Sequence, residues 1–165
     1  MVLLYNPRQM VFVTCRGRVN VVGTVQERDC IVATTWHAPC SQEPAMYLVV
    51  LPKVQEQAIA AIRDEGRFVA NFMGIDAENA AVALSSPHIQ HEDPFKFTGL
   101  TRMEAVMVPC PRIGEAVGWA ECELTHEHVS GDHVIFIGRI LHADLPHRDA
   151  KRLFHVEGRK FTTTE

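Results

Sequence analysis

Residues 120–141 read AECELTHEHVSGDHVIFIGRIL. Ala120, Cys122 and Leu124 alternate with Glu121, Glu123 and Thr125, so an extended chain puts apolar side chains on one face and polar ones on the other, the pattern of a half-buried strand. Ser130-Gly131-Asp132 is a turn signal, and Val134 to Leu141 (VIFIGRIL) is a second strand-like run. Together they predict an antiparallel hairpin.

Working outward, Met10 to Thr14 (MVFVT) is a β-branched and aromatic run, and the polar Arg- and Gly-containing segment from Arg16 to Asp29 reads as an excursion after it. Ile31 to Trp36 and Tyr47 to Leu51 are two more runs of strand length. The segment His37–Pro44 between them holds two prolines, which speak against a continuous ladder. Ala58, Ile59 and Ile62 recur at helical spacing within Val54 to Glu65, with Gly66 placed to end the helix, and Phe68 to Met73 follows as a strand. Asp76 is a candidate cap for a short helix through Leu84, Pro87 lies just beyond its end, and His88 to Gly99 reads as irregular. The sum is about seven strands and two helices. Strands in runs, without regular β-α alternation, predict a mainly β (α+β) architecture: an antiparallel barrel with helices at one side.

A chain of 165 residues has the length of one domain, residues 1–165. Sixteen Lys plus Arg against twenty Asp plus Glu give a net charge of -4, which offers no general attraction to nucleic acid or to an anionic membrane. No stretch approaches the ~20 apolar residues of a spanning helix, and Asn6, Pro7 and Arg8 interrupt the first apolar residues too early for a secretory signal. The five cysteines, Cys15, Cys30, Cys40, Cys110 and Cys122, form no C-x-x-C pair, so reduced thiols in the cytoplasm are expected.

Several constellations could carry chemistry. His126-x-His128, with His133 and Cys122 nearby, offers nitrogen and thiolate ligands of the kind zinc accepts, although side chains beside a hairpin turn are ordinarily solvated. Cys40 and His37 are the cysteine and histidine nearest in sequence and suggest a nucleophile and its base. The Walker loop, the Rossmann fingerprint and the serine-hydrolase elbow are all absent.

A longer pattern is more specific. The run DCIVATTWHAPCSQEP (residues 29–44) is followed by Gly66-x-Phe68-x-x-Asn71, by Asp93-x-Phe95 with Gly99-Leu100-Thr101, by Glu121-Cys122-Glu123, and by Gly131-Asp132-His133 leading into Ile137-Gly138. In this order the five elements resemble the flavin reductase-like, FMN-binding split-barrel family. The resemblance implies a six-stranded antiparallel split β-barrel flanked by short helices, paired into a homodimer. It also implies FMN as cofactor, with Cys30, Ile31, Val32, Ala33, Thr34, Thr35, Trp36, Cys40, Ser41, Asn71 and His133 at the flavin. FMN joins an apolar ring to a dianionic phosphate, so its pocket needs flat apolar walls at one end and clustered donors at the other. Thr34 and Ser41 are candidate hydroxyl donors.

The chain departs from the family's pattern at five positions. Cys30 and Ala33 stand where Asn and Thr are usual, Glu56 and Ala58 where Arg and Thr are usual, and Pro94 replaces a lysine. Arg16, Arg18, Arg28, Lys53 and Arg67 are candidate replacement cations for the phosphate. The expected function is an FMN-binding oxidoreductase of flavin reductase type, passing electrons from NAD(P)H or a protein donor through flavin to free flavin, ferric iron or another acceptor. The alternative is a binding module on the same fold that has lost tight FMN binding and holds another ligand or partner. No catalytic acid and no metal ligand is assigned.

Overall fold

The computed structural model describes residues 2–86 and 92–164. A one-turn helix α1 (Val2–Tyr5) and a two-residue strand β1 (Arg8–Gln9) lead into a long hairpin, β2 (Val11–Val21) and β3 (Thr24–Thr34). The polar stretch Arg16–Asp29, expected as an excursion, is therefore mostly strand. Its apolar members Gly17 and Val19 are buried while Arg18 and Asn20 are exposed, an alternation that the weight of charged residues conceals. The turn at its tip places Val22 at φ 51° and Gly23 at φ 81°.

After β3 the chain forms β4 (His37–Gln42) and β5 (Ala45–Pro52), paired antiparallel. The two prolines do not prevent this. Pro39 sits on an edge strand, where a ladder N–H is dispensable, beside a register shift between Pro39 and Ser41, and Pro44 occupies the turn. Helix α2 (Glu56–Glu65) ends at Gly66, whose φ of 69° is the left-handed cap expected there. Strand β6 (Arg67–Met73) follows, then a 3-10 turn (Ile75–Ala77) and α3 (Glu78–Leu84). Asp76 lies inside the 3-10 turn, and Ala77 occupies the cap position of α3 without a side-chain bond, so the expected carboxylate cap is not formed.

Part of the segment expected to be irregular is helical. Asp93 accepts hydrogen bonds from the Phe95 and Lys96 N–H groups and starts α4 (Pro94–Thr98), with Pro94 at a position where a missing N–H costs nothing. Pro87 and His88 to His91 lie outside the described residues. Two short strands, β7 (Arg102–Met103) and β8 (Arg112–Ile113), precede the hairpin of β9 (Ala116–Ser130) and β10 (His133–Asp144). A second small hairpin, β11 (Leu153–Glu157) with β12 (Lys160–Thr163), pairs with β1.

The main sheet has seven strands in the order β3-β2-β6-β9-β10-β5-β4, against the six expected, because β4 adds a strand beyond β5. The two ends approach each other: the Val50 N–H donates to the Trp36 carbonyl at 2.9 Å, and the Thr34 hydroxyl donates to the Val50 carbonyl at 3.1 Å. Phe12, Phe68, Phe136, Leu51 and Met73 of the sheet and Ile62 of α2 are fully buried in one core.

One strand face departs from expectation. Glu121, placed by alternation on the solvent side of β9, is fully buried. The segment before β8 folds over it: the Val106 and Met107 N–H groups donate to the carboxylate at 2.9 and 2.6 Å, and Arg112 Nε donates to it at 2.6 Å. The Arg112 guanidinium also lies over the Trp119 ring at 4.7 Å. A buried carboxylate needs such partners, and here the backbone and Arg112 supply them.

Candidate functional site

Strand β3 is the edge of the main sheet, and two cavities flank it end to end. The smaller is bordered by Arg28 to Val32, by Gln55, Gln57 and Ala58 where α2 begins, and by Pro94 where α4 begins. The larger, about 580 Å³, is bordered by Ala33 to Thr35, by Val54 and Gln55, by the end of α3, and by the β11–β12 hairpin. Gln55 borders both, so the two lie next to each other in a groove-like row along β3. Its larger part has the size of a small-molecule site.

The groove's electrostatics follow from how its walls are built. Helix α2 begins at Gln55 without a side-chain cap, so the N–H groups of its first turn, at Glu56 to Ala58, carry the partial positive charge of a helix start. Arg28 borders the same end. Asp29 is there too, but its carboxylate is held by Arg16 at 2.9 Å and Arg102 at 2.7 Å, two guanidiniums that compensate its charge. Arg159 borders the opposite part of the groove, with Phe161 and His155. Met10, Ala33, Leu84 and Phe161 give apolar walls between these ends.

The sequence-predicted residues divide into two sets. Cys30, Ile31 and Val32 wall the smaller cavity, and Ala33, Thr34 and Thr35 wall the larger. Of these, Thr34 has already committed its hydroxyl, donating to Val50 and accepting from the Trp36 N–H at 3.0 Å. Trp36, Cys40, Ser41, Asn71 and His133 border neither cavity. Trp36 lies beyond the end of β3, stacked on the His133 ring at 4.5 Å with Tyr5 edge-on at 6.2 Å. His133 Nδ1 is 2.6 Å from Asp132 Oδ1. Cys40 and Ser41 belong to edge strand β4. Asn71 is fully buried: its amide donates to the Phe12 carbonyl and the Thr14 hydroxyl at 2.8 and 2.9 Å, and its Oδ1 accepts from the Ile113 N–H at 2.9 Å. These bonds tie β6 to β2 and β8.

Of the divergent positions, Ala58 and Pro94 border the smaller cavity with Cys30, and Ala33 borders the larger, while Glu56 stands exposed in the first turn of α2. Of the candidate replacement cations, Arg28 alone borders the two cavities. Arg16 is engaged with Glu27 and Asp29, Arg67 with Glu123 and the Gly66 carbonyl, and Arg18 and Lys53 are exposed. The Cys40–His37 dyad is not assembled. His37 Nδ1 is bonded to the Tyr47 hydroxyl at 2.6 Å and Nε2 to the Gln9 carbonyl at 2.8 Å, so neither ring nitrogen is available to a thiol. Nor is the metal set assembled. Cys122 is fully buried while His126 and His128 are exposed, and among the described residues no three His, Cys, Asp or Glu side chains converge.

Sequence reasoning missed the far wall of the groove. His155, Arg159 and Phe161 come from the β11–β12 hairpin, where Gly158 turns the chain at φ 50°. The signal was present as two short runs, LFHV and FTT, separated by a Gly-containing turn.

The model of the flavin reductase like domain matches residues 5–164. The chain belongs to this family. An uncharacterized protein of Archaeoglobus fulgidus is 26% identical over 148 residues, covering 83% of this chain and 82% of that one. Among solved structures, the FMN-binding protein of Thermus thermophilus with bound p-hydroxybenzaldehyde superposes with a TM-score of 0.82 at 18% identity, over 98% of this chain and 88% of that one. The 2-nitrobenzoate 2-nitroreductase of Pseudomonas fluorescens gives 0.82 at 15% identity, over 99% and 83%. A split-barrel-domain protein of Shewanella frigidimarina gives 0.83 at 13% identity, over 99% and 85%. These likenesses establish the fold shared by this family member.

Proposed function

We propose that this protein is a single-domain, FMN-binding oxidoreductase of flavin reductase type that holds FMN in the groove along β3. The observation that carries this reading is the groove: a cavity of about 580 Å³ beside Ala33 to Thr35, next to a smaller one where Arg28 and the uncapped start of α2 meet. An apolar ring joined to a phosphate dianion fits that sequence of surfaces. The family membership and the FMN-binding protein of the same fold support it.

Each part of the chain has a role in this reading. Arg28 and the first-turn N–H groups of α2 bind the phosphate, and Gln55 bridges the two parts of the groove. Ala33, small and half-buried, leaves room against the strand, and Leu84 and Phe161 exclude water from the apolar part. Bound flavin supplies two-electron chemistry, taking electrons from NAD(P)H or a protein donor and delivering them to free flavin, ferric iron or another acceptor. Mixing the FMN-loaded protein anaerobically with NADH or NADPH tests the donor. Bleaching of the visible flavin absorbance is expected, and an unchanged spectrum with both would exclude nicotinamide as reductant.

A binding module with weakened flavin affinity is the second reading. It is favoured by Cys30 and Ala33, which present no strong polar side chain to the groove, and by the Thr34 hydroxyl, already spent on Val50.

We infer a homodimer as well. Tyr47, Phe72, Trp119, Ile140 and Leu145 border an open, largely apolar hollow of about 470 Å³ on another face, a surface suited to a second copy of this chain. Among the described residues no helix is long and apolar enough to cross a membrane. Four buried free thiols are in keeping with a cytoplasmic setting.

A further inference from the structure

The β2–β3 hairpin brings together two cysteines that lie 15 positions apart in the chain. Cys15 and Cys30 are direct partners in the antiparallel register. Residues so opposed have Cα atoms about 4.5–5.5 Å apart, inside the ~4.4–6.8 Å that a disulfide spans. Both are free thiols, and Cys15 is wholly enclosed while Cys30 lies on the wall of the smaller cavity beside Arg28.

The two sulfurs are chemically unequal. The Cys15 thiol donates to the Ala58 carbonyl at 3.6 Å. Its closeness to Cys30, with help from the nearby Arg28 charge, draws the Cys30 pKa below the ordinary thiol value despite burial, and the same closeness and burial push Cys15 well up. Burial pushes Cys110 and Cys122 up to about 12, and the exposed Cys40 is raised as well. A thiolate is the reactive form, and Cys30 is the one of the two that borders the cavity while Cys15 is enclosed behind it, so Cys30 is the thiol placed for attack and Cys15 the one placed to resolve it.

We propose that Cys15 and Cys30 are a dithiol–disulfide pair, oxidised by hydrogen peroxide that enters through the groove. The Cys30 thiolate attacks the peroxide O–O bond, forming the sulfenic acid and releasing hydroxide, which takes up a proton to become water. The Cys15 sulfur then attacks the Cys30 sulfur and displaces a second water, with the Cys15 proton leaving on it. Two thiols and one peroxide become one disulfide and two waters. The pair rests on the strand register and does not depend on what the groove binds.

The test treats the purified full-length chain with hydrogen peroxide near neutral pH, blocks the remaining thiols, and maps the peptides by mass spectrometry. The expected result is a linked Cys15–Cys30 peptide, lighter by two hydrogens, with two of the five thiols lost and both restored by dithiothreitol. Cys40→Ser should leave that product in place, and Cys30→Ser should leave Cys15 reduced. Oxidation confined to Cys40, or Cys30 carried to sulfinic acid with Cys15 still free, would overturn the proposal, and the wild-type map alone decides this if the Cys30 variant does not fold.

Discussion

Removing one half of the Arg112–Glu121 pair leaves a buried charge without its partner. The side chains are 6% and 0% exposed, and the carboxylate also receives two backbone N–H groups, so Arg112→Met should destabilise the fold by about 3–5 kcal/mol in urea denaturation. A loss below 1 kcal/mol would show that water reaches the site. His37 carries a pH dependence. Burial holds its pKa below the ordinary histidine value, so the fold favours the neutral ring. That contribution is complete above the unfolded value of 6.5 and is lost as pH falls through the lower folded value. Stability should therefore decline on acidification below about pH 6.5, and His37→Gln should flatten the slope; an unchanged slope would contradict this. At this scale the sequence was informative about β3, whose residues 30–35 all border the groove. It misled at Glu121 and left Asn71 open between flavin and structure, because a polar residue type does not reveal whether its partners are solvent, ligand or the protein's own backbone.

Helix α2 packs across β2 so closely that a side chain has no room at Gly17. A Cβ there would come within 2.7 Å of the Ala61 carbonyl oxygen and 2.8 Å of its Cα, both backbone atoms. Gly17→Ala should cost about 1–3 kcal/mol by forcing helix and strand apart, and it should loosen the groove, since α2 forms one wall. Unchanged stability would mean that the helix shifts freely. Helix α2 was legible because its apolar spacing and terminal glycine agree. The β2–β3 hairpin was legible only in its apolar outer parts, since Arg, Glu and Asp at the exposed register positions hide the alternation. Strand β4 was obscured by prolines that an edge strand and a turn accommodate. Missing the hairpin also hid the Cys15–Cys30 pairing, which is a property of register and not of spacing.

For the molecule as a whole, the apolar hollow around Phe72 and Trp119 leads us to expect a homodimer. Light scattering of dilute protein should give twice 18.5 kDa, and Ile140→Asp should shift it toward one chain; a wild type that remains at 18.5 kDa would remove the dimer from the account. The fold class was legible from strands grouped in runs, but the groove's far wall depends on a C-terminal hairpin docking beside α3, a long-range contact that no local pattern announces. The central claim is that the β3 groove binds flavin with its phosphate at Arg28. Its most direct test is a titration of FMN and of riboflavin into the wild-type protein and the Arg28→Ala variant, followed by quenching of flavin fluorescence. The wild type should bind one FMN per chain and hold it more tightly than riboflavin, and Arg28→Ala should weaken FMN by roughly tenfold or more, a charge-assisted hydrogen bond being worth about 1.5–3 kcal/mol, while changing riboflavin little. Absence of saturable FMN binding to the wild type, or equal loss of both flavins in the variant, would contradict it.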